Sequence, residues 1–110
     1  MNILLLREAM LLANEYGIDS VRQLAVFIAI SKADGITVTE LAGVSKQEDL
    51  VAWNHQSSMV AKLVELDERG ESVVYRAEHI HGYVGRPAHK LRLTAKGFRL
   101  LEELRALGFQ

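Results

Sequence analysis

Five consecutive polar side chains interrupt a largely apolar stretch near the middle of this 110-residue chain. They are Asn54, His55, Gln56, Ser57 and Ser58, and Lys62 follows four residues later. Asn and Gln amides form paired hydrogen bonds with adenine in the major groove of DNA, and Ser hydroxyls bond to several bases or to phosphate. We therefore predict that these six side chains contact DNA, although a solvated helix start would have the same composition.

A second candidate group is basic. The net charge of the chain is only −1, but residues 79–101 contain five Lys or Arg residues and no Asp or Glu. A local basic stripe on a near-neutral chain is typical of small DNA-binding modules. We expect Arg86 to enter a narrow minor groove, and Lys90 and Arg92 to contact phosphates. A solvated basic strand is the alternative interpretation.

Other chemistry has little support in the sequence. Acidic residues occur as neighbours, such as Glu102 and Glu103, and adjacent positions of a helix point in different directions, so they do not form an acid-base pair. No phosphate-binding Gly-rich loop or nucleophile motif occurs. His79, His81 and His89 could approach one another on a hairpin, but structural zinc sites use four ligands and the chain has no cysteine. We predict no enzymatic activity, no metal site and no cofactor.

Two helices are predicted within the first 32 residues. The first spans about residues 2–16, and its apolar stripe is unusually wide. The stripe is widened by Leu4, Leu5, Leu11 and Leu12. A terminal helix this apolar favours burial against a second copy of the chain. The second helix spans about residues 20–32 and begins at Ser20, whose hydroxyl can cap it. Its predicted core face consists of Val21, Leu24, Ala25, Ile28 and Ala29.

Two further helix starts follow at a spacing typical of a helix-turn-helix. Thr37 with Glu40, and Ser45 with Glu48, have the Thr/Ser-x-x-Glu pattern of a capping box. A glycine-containing turn separates the two boxes. The pattern therefore predicts a short helix, a turn and a second helix that begins at about residue 46.

The length of that second helix is open on sequence grounds. Residues 46–69 contain no proline or glycine and form either one helix or two. We favour two, with Asn54 or His55 capping the second, because both residue types are mediocre helix formers but good caps. The alternative is that Lys46 and Gln47 are the base readers, in which case the helix is continuous from Ser45.

The basic segment lies in a predicted β-hairpin. Residues 73–79 and 88–94 alternate around a tip that contains glycine and proline. In the first run, one face is expected to carry Val73, Tyr75 and Ala77, and the other Val74, Arg76 and Glu78. In the second run, Leu91 and Leu93 are expected to face the core, and Lys90 and Arg92 to face solvent. Thr94 can cap a last helix that reaches about residue 107. Its predicted apolar stripe consists of Phe98, Leu101, Leu104 and either Leu107 or Phe109.

This order of elements is that of a winged helix, and particular residues carry a more specific likeness. They are Thr37 to Ala42 at the start of the helix-turn-helix, Ser57-Ser58-Met59, Leu63 and Leu66 in the recognition helix with Gly70 as its closing glycine, and Arg86 with Leu91 to Gly97 in the wing and its junction with the last helix. Over about residues 20–105 the chain resembles the multiple-antibiotic-resistance regulator (MarR) family. It departs from the family by an insertion between Ala42 and Ser57, by Gly85 and Pro87 beside the wing arginine, and by a short C-terminal helical arm. The resemblance implies a dimeric regulator whose recognition helix enters the major groove.

We therefore predict one domain over residues 1–110, mainly α with a small β-hairpin (α+β). Residues 1–17 are interpreted as a dimerisation helix, 20–94 as the winged-helix core and 95–110 as the C-terminal helix. The predicted function is sequence-specific binding of double-stranded DNA by a homodimeric transcriptional regulator. No signal peptide or membrane span is expected, which favours the cytoplasm. The alternative is a winged-helix protein-interaction or assembly module that does not bind specific DNA.

Overall fold

The computed structural model describes residues 3–43, 50–81 and 87–109. Its elements are α1 (Ile3–Glu15), α2 (Val21–Lys32), α3 (Val38–Ala42), α4 (Leu50–Val64), β1 (Val74–His81), β2 (Pro87–Leu93) and α5 (Ala95–Ala106). The two strands pair as an antiparallel sheet. The described part of the chain is therefore mainly helical with a small sheet, as the sequence predicts. No described helix is long and apolar enough to cross a membrane.

Three predicted helix caps are confirmed at the level of individual hydrogen bonds. The Ser20 hydroxyl accepts from the Gln23 amide at 3.1 Å, and the Thr94 hydroxyl accepts from the Gly97 amide at 3.0 Å. At α3, the Thr37 hydroxyl accepts from the Glu40 amide at 3.2 Å, and the Glu40 carboxylate accepts from the Thr37 amide at 3.3 Å. Each cap satisfies amides that the first helical turn leaves without partners, so these helices begin where the sequence places them.

The core forms where α2 packs against α4 and β2, and α1 packs beside α5. Its largest fully buried side chains include Phe27, Ile30, Leu91, Leu100 and Leu104. Leu91 lies in the strand that the helices cover, and Leu93 beside it is also buried. The inward orientation predicted for these two leucines is thus confirmed.

The predicted core faces of α2 and α5 are partly wrong. Val21 is 54% exposed, whereas Phe27 and Ile30, which the predicted face omits, are buried. In α5, Phe98 is 56% exposed and Leu100 is buried in its place. Both helices carry apolar residues on more than one face, so 3–4 spacing alone allows several orientations. The tertiary neighbours select the one that buries the best-packed set.

The predicted break within the polar run is wrong, because α4 is continuous from Leu50 to Val64. Asn54 and His55 therefore lie inside the helix and do not cap a second one. No proline or glycine interrupts these positions, and Val60 and Leu63 are buried in the core. Tertiary packing of such an apolar face outweighs the weak helix propensity of a few polar residues.

The strand pairing contains an irregularity that changes which side chains share a face. Val74 pairs with Leu93, Tyr75 with Arg92 and Arg76 with Leu91, but the next pair is His79 with His89. Between these pairs β1 therefore has one residue more than β2, as in a β-bulge. The strict alternation predicted for the first strand fails at this point, and it also fails at its start, where both Val73 and Val74 are buried.

Candidate nucleic-acid interface

The short helix α3 ends at a C-cap that requires glycine. Gly43 caps α3 in the left-handed conformation with φ 69°, and its amide donates to the Glu40 carbonyl at 3.1 Å. L-residues with a side chain rarely adopt this conformation, whereas glycine adopts it without steric cost. The capping box at the start of α3 and this glycine at its end fix the length of α3 at five residues.

The exposed side of α4 carries four of the six side chains that the sequence assigns to DNA contact. Asn54, His55, Ser58 and Lys62 are exposed. Their helical spacing places them on one broad face, opposite the face buried in the core. No acidic residue occurs from position 54 to position 62. This α4 face therefore combines hydrogen-bonding groups with one positive charge, and among the described residues that charge has no ion-pair partner.

The remaining two polar residues of the run are placed differently. Gln56 and Ser57 are half-buried. Gln56 lies one helical turn before the buried Val60. The Gln56 side chain therefore lies on the same face of α4 as Val60, towards the core. The sequence alone could not separate these residues from their neighbours, because the orientation of the helix depends on Val60 and Leu63 packing against other elements.

The predicted solvent-side cations of the hairpin are engaged by carboxylates of the same chain. The Lys90 ammonium lies 3.4 Å from the Glu78 carboxylate. The Arg92 guanidinium contacts Glu78 at 3.2 Å and also donates a short hydrogen bond to Asp34, in the turn between α2 and α3. Lys90 and Arg92 thus lie on the outer face as predicted, but neither presents an uncompensated charge.

The same compensation extends to the rest of the basic segment. The Lys96 ammonium lies 2.8 Å from the Asp67 carboxylate, and the Arg99 guanidinium lies 3.9 Å from Glu71. Every described cation of residues 79–101 is therefore paired with an acid from an earlier part of the chain. The positive charges of the described part of this segment are therefore largely offset by acidic side chains that the fold brings beside them.

These ion pairs shift the pKa values of the acids concerned. The Lys90 charge, together with hydrogen bonds from Lys90 and Arg92, lowers the pKa of the Glu78 carboxyl. The hydrogen bond from Lys96, supported by the amides of Glu71 and Arg69, lowers the pKa of Asp67 to about 2. Both acids therefore stay ionised, and their ion pairs persist, throughout the physiological pH range.

A backbone bridge ties the hairpin to the α3–α4 unit. The Leu91 amide donates to the Ile36 carbonyl at 2.8 Å, and the Gly35 amide donates to the Leu91 carbonyl at 3.2 Å. β2 consequently has β1 on one side and Ile36, just before α3, on the other. The bridge also brings Asp34 beside Arg92. Nothing local in the sequence indicates which strand the turn at Asp34 will meet, so this contact could not be predicted.

Some predicted features lie outside the described residues. They are Arg86 at the hairpin tip, the second capping box at Ser45 and Glu48, and the alternative readers Lys46 and Gln47. Of His79 and His81 the structure describes the backbone, and among the described residues no group of three His, Asp or Glu side chains is arranged to hold a metal ion.

An open cleft of about 330 Å³ lies at the C-terminal end of α4. Lys62 and Glu65 line one side, and the buried Gln23 lines another. The lining also includes Asp67 and Lys96, which are already paired with each other. The mixed charges of the lining give the cleft no clear preference for a ligand charge.

Comparisons of the chain with protein-family models, with curated proteins and with solved structures give no match.

Proposed function

We propose that this chain is a winged helix-turn-helix protein that binds double-stranded DNA as a dimeric, MarR-like transcriptional regulator of the cytoplasm, without enzymatic activity. The observation that carries the proposal is the exposed α4 face formed by Asn54, His55, Ser58 and Lys62. It follows a short capped helix and precedes an antiparallel hairpin. An α-helix presented in this way fits into the major groove, where its side chains can form hydrogen bonds with base edges.

The bridge at Ile36 supports the same proposal. Ile36 lies just before α3 and pairs with Leu91 of β2, so the backbone holds the hairpin beside the α3–α4 unit. A hairpin fixed in this way can contact DNA together with α4. The hairpin would then contact the backbone or the minor groove, with Arg86 at its tip.

A second candidate function is favoured by the ion pairs of the hairpin. A winged helix that acts only as a protein-interaction or assembly module does not need uncompensated cations, and Lys90 and Arg92 are both compensated here. The two functions differ in one simple measurement. DNA binding should weaken steeply as salt rises, whereas an interaction module should not retard duplex DNA even at low salt.

Base reading by α4 is tested by selecting bound fragments from random duplexes and then measuring variants on the preferred site. We expect Asn54→Ala and Ser58→Ala each to cost about 1–3 kcal/mol of binding free energy and to relax selectivity at one base pair. Gln56→Ala is the matched comparison from the same polar run, and its half-buried position predicts a smaller change in selectivity. Unchanged selectivity in all three variants would mean that α4 does not read bases.

The dimeric state is proposed from apolar side chains that remain exposed on the first and last helices. In α1, Leu4 is 69% and Leu11 is 50% exposed, and their seven-residue spacing places them on one helix face. Ile3 of α1 and Phe98 of α5 are exposed as well.

Leu5, by contrast, already packs partly against the core, so the exposed leucines are the better positions at which to test association. Leu4→Ser with Leu11→Ser should convert a dimer into a folded monomer, and a monomeric wild type at micromolar concentration in analytical ultracentrifugation would contradict the proposal.

A further inference from the structure

The outer face of the hairpin carries two cations and two carboxylates in one connected group. Glu78 contacts both Lys90 and Arg92, and Asp34 contacts Arg92 from the turn before α3. We call Asp34 and Glu78 the acidic clamp. The two carboxylates come from distant parts of the sequence, so the fold itself assembles the group.

The bulge in β1 is what allows one carboxylate to meet two cations. Lys90 and Arg92 are two residues apart on β2 and therefore share a face of the sheet. A regular strand would place Glu78 opposite His89, on the other face. Because the extra residue lies between Arg76 and His79, Glu78 reaches the face of Lys90 and Arg92.

The ion pairs of the clamp are too exposed to contribute much to folding. The side chains of Asp34 and Glu78 are largely exposed, while the Arg92 side chain is only 26% exposed. Solvent screens such pairs, and most of them stabilise a fold only slightly. The clamp therefore has little effect on the stability of the protein but a direct effect on which charges the hairpin presents to a partner.

We propose that the acidic clamp limits the affinity of the hairpin for the DNA backbone. The inference rests on the proposed DNA-binding function and adds a regulatory property to it. Phosphate must displace Asp34 and Glu78 before Lys90 and Arg92 can contact it, and the two carboxylates repel phosphate until then. The binding energy of the complex therefore comes mainly from the α4 face, which keeps the contribution of sequence-independent contacts low.

The test is a comparison of Asp34→Asn, Glu78→Gln and the double variant with the wild type. Fluorescence anisotropy on a labelled random duplex and on the preferred duplex would be measured across a salt series. We expect the double variant to bind the random duplex on the order of tenfold more tightly, because two cations become available to phosphate. Its slope of log affinity against log salt should steepen by about one unit for each cation engaged.

Glu102→Gln is the matched control. It makes the same change of one charge as each single variant, and it releases Arg105 from a pair of similar length, 3.5 Å, within α5. Its affinity and salt slope should stay near those of the wild type. A gain in this variant equal to the gain of Asp34→Asn or Glu78→Gln would overturn the clamp, because net charge alone would then explain the effect. Thermal melts of all variants verify that the fold is intact.

The outcomes separate the clamp from the proposed function. If the wild type binds DNA and the double variant binds it with the same affinity, the clamp is overturned and the proposed DNA-binding function stands. Failure of both the wild type and the double variant to bind any duplex overturns both. Binding that appears only when the clamp is removed supports the clamp in its strongest form.

Discussion

Replacement of Gly97 by alanine tests how closely α5 approaches the segment before β1. An added Cβ would lie 2.1 Å from the Val73 carbonyl oxygen and 3.3 Å from the Leu93 Cβ, whereas ordinary contacts begin at 3.4 Å. The oxygen belongs to the backbone and already accepts a hydrogen bond from the Thr94 amide at 3.1 Å. No rotamer change can relieve the contact, so α5 and the segment before β1 must separate by about 1 Å in a close-packed region.

The expected cost follows from three contributions. Overpacking of a filled site costs about 1–3 kcal/mol, and weakening the Thr94 hydrogen bond adds about 1 kcal/mol. The higher helix propensity of alanine offsets up to about 1 kcal/mol of this destabilisation. We therefore expect Gly97→Ala to lower the free energy of unfolding by about 1–3 kcal/mol and the melting temperature by on the order of 10 °C.

The assay is urea unfolding followed by circular dichroism, together with a thermal melt. Ala95→Gly is the control, because Ala95 is exposed in the same helix and the exchange measures propensity without a steric contact. It should cost no more than about 1 kcal/mol. A Gly97→Ala protein that melts at or above the wild-type temperature would refute the close approach of α5 to Val73.

Two further predictions concern the hairpin and its base. Leu91→Ala should lower the free energy of unfolding by about 2–5 kcal/mol because Leu91 is fully buried, whereas Lys90→Ala on the outer face should change it by less than about 0.5 kcal/mol; urea titrations of the two variants would compare them. Asp67 has a pKa of about 2 in the folded chain against 3.8 ordinarily, so its ion pair with Lys96 stabilises the fold above about pH 4, and this stabilisation is lost as the pH falls towards 2. Asp67→Asn should make the melting temperature depend less on pH in that window, and equal pH profiles for the two proteins would contradict the assigned pKa.

The sequence predicts the local elements well because their signals are local. The caps at Ser20, Thr37 and Thr94 each depend on residues within one helical turn, and all three form as expected. The hairpin is also found, because its alternation and its Gly- and Pro-containing tip are both local patterns. The inward orientation of Leu91 follows from the same alternation.

What the sequence does not predict depends on contacts between distant segments. Asp34 meets Arg92 only because Ile36 pairs with β2, and no local pattern encodes that meeting. The burial of Phe27 in place of Val21 likewise follows from which helices surround α2. The candidate site was therefore predicted in its residue types but not in its electrostatics, since the compensating acids lie far away in the sequence.

The bulge in β1 also bears on self-association. β2 pairs with β1 along one side and meets Ile36 at Leu91 on the other, whereas no described residue pairs with the far side of β1. A straight outer strand is a template for pairing with strands of other molecules, and a bulge interrupts the regular row of amides and carbonyls that such pairing needs. The extra residue between Arg76 and His79 therefore protects the hairpin against edge-to-edge aggregation, and removal of Ala77 would straighten the strand and expose a continuous edge.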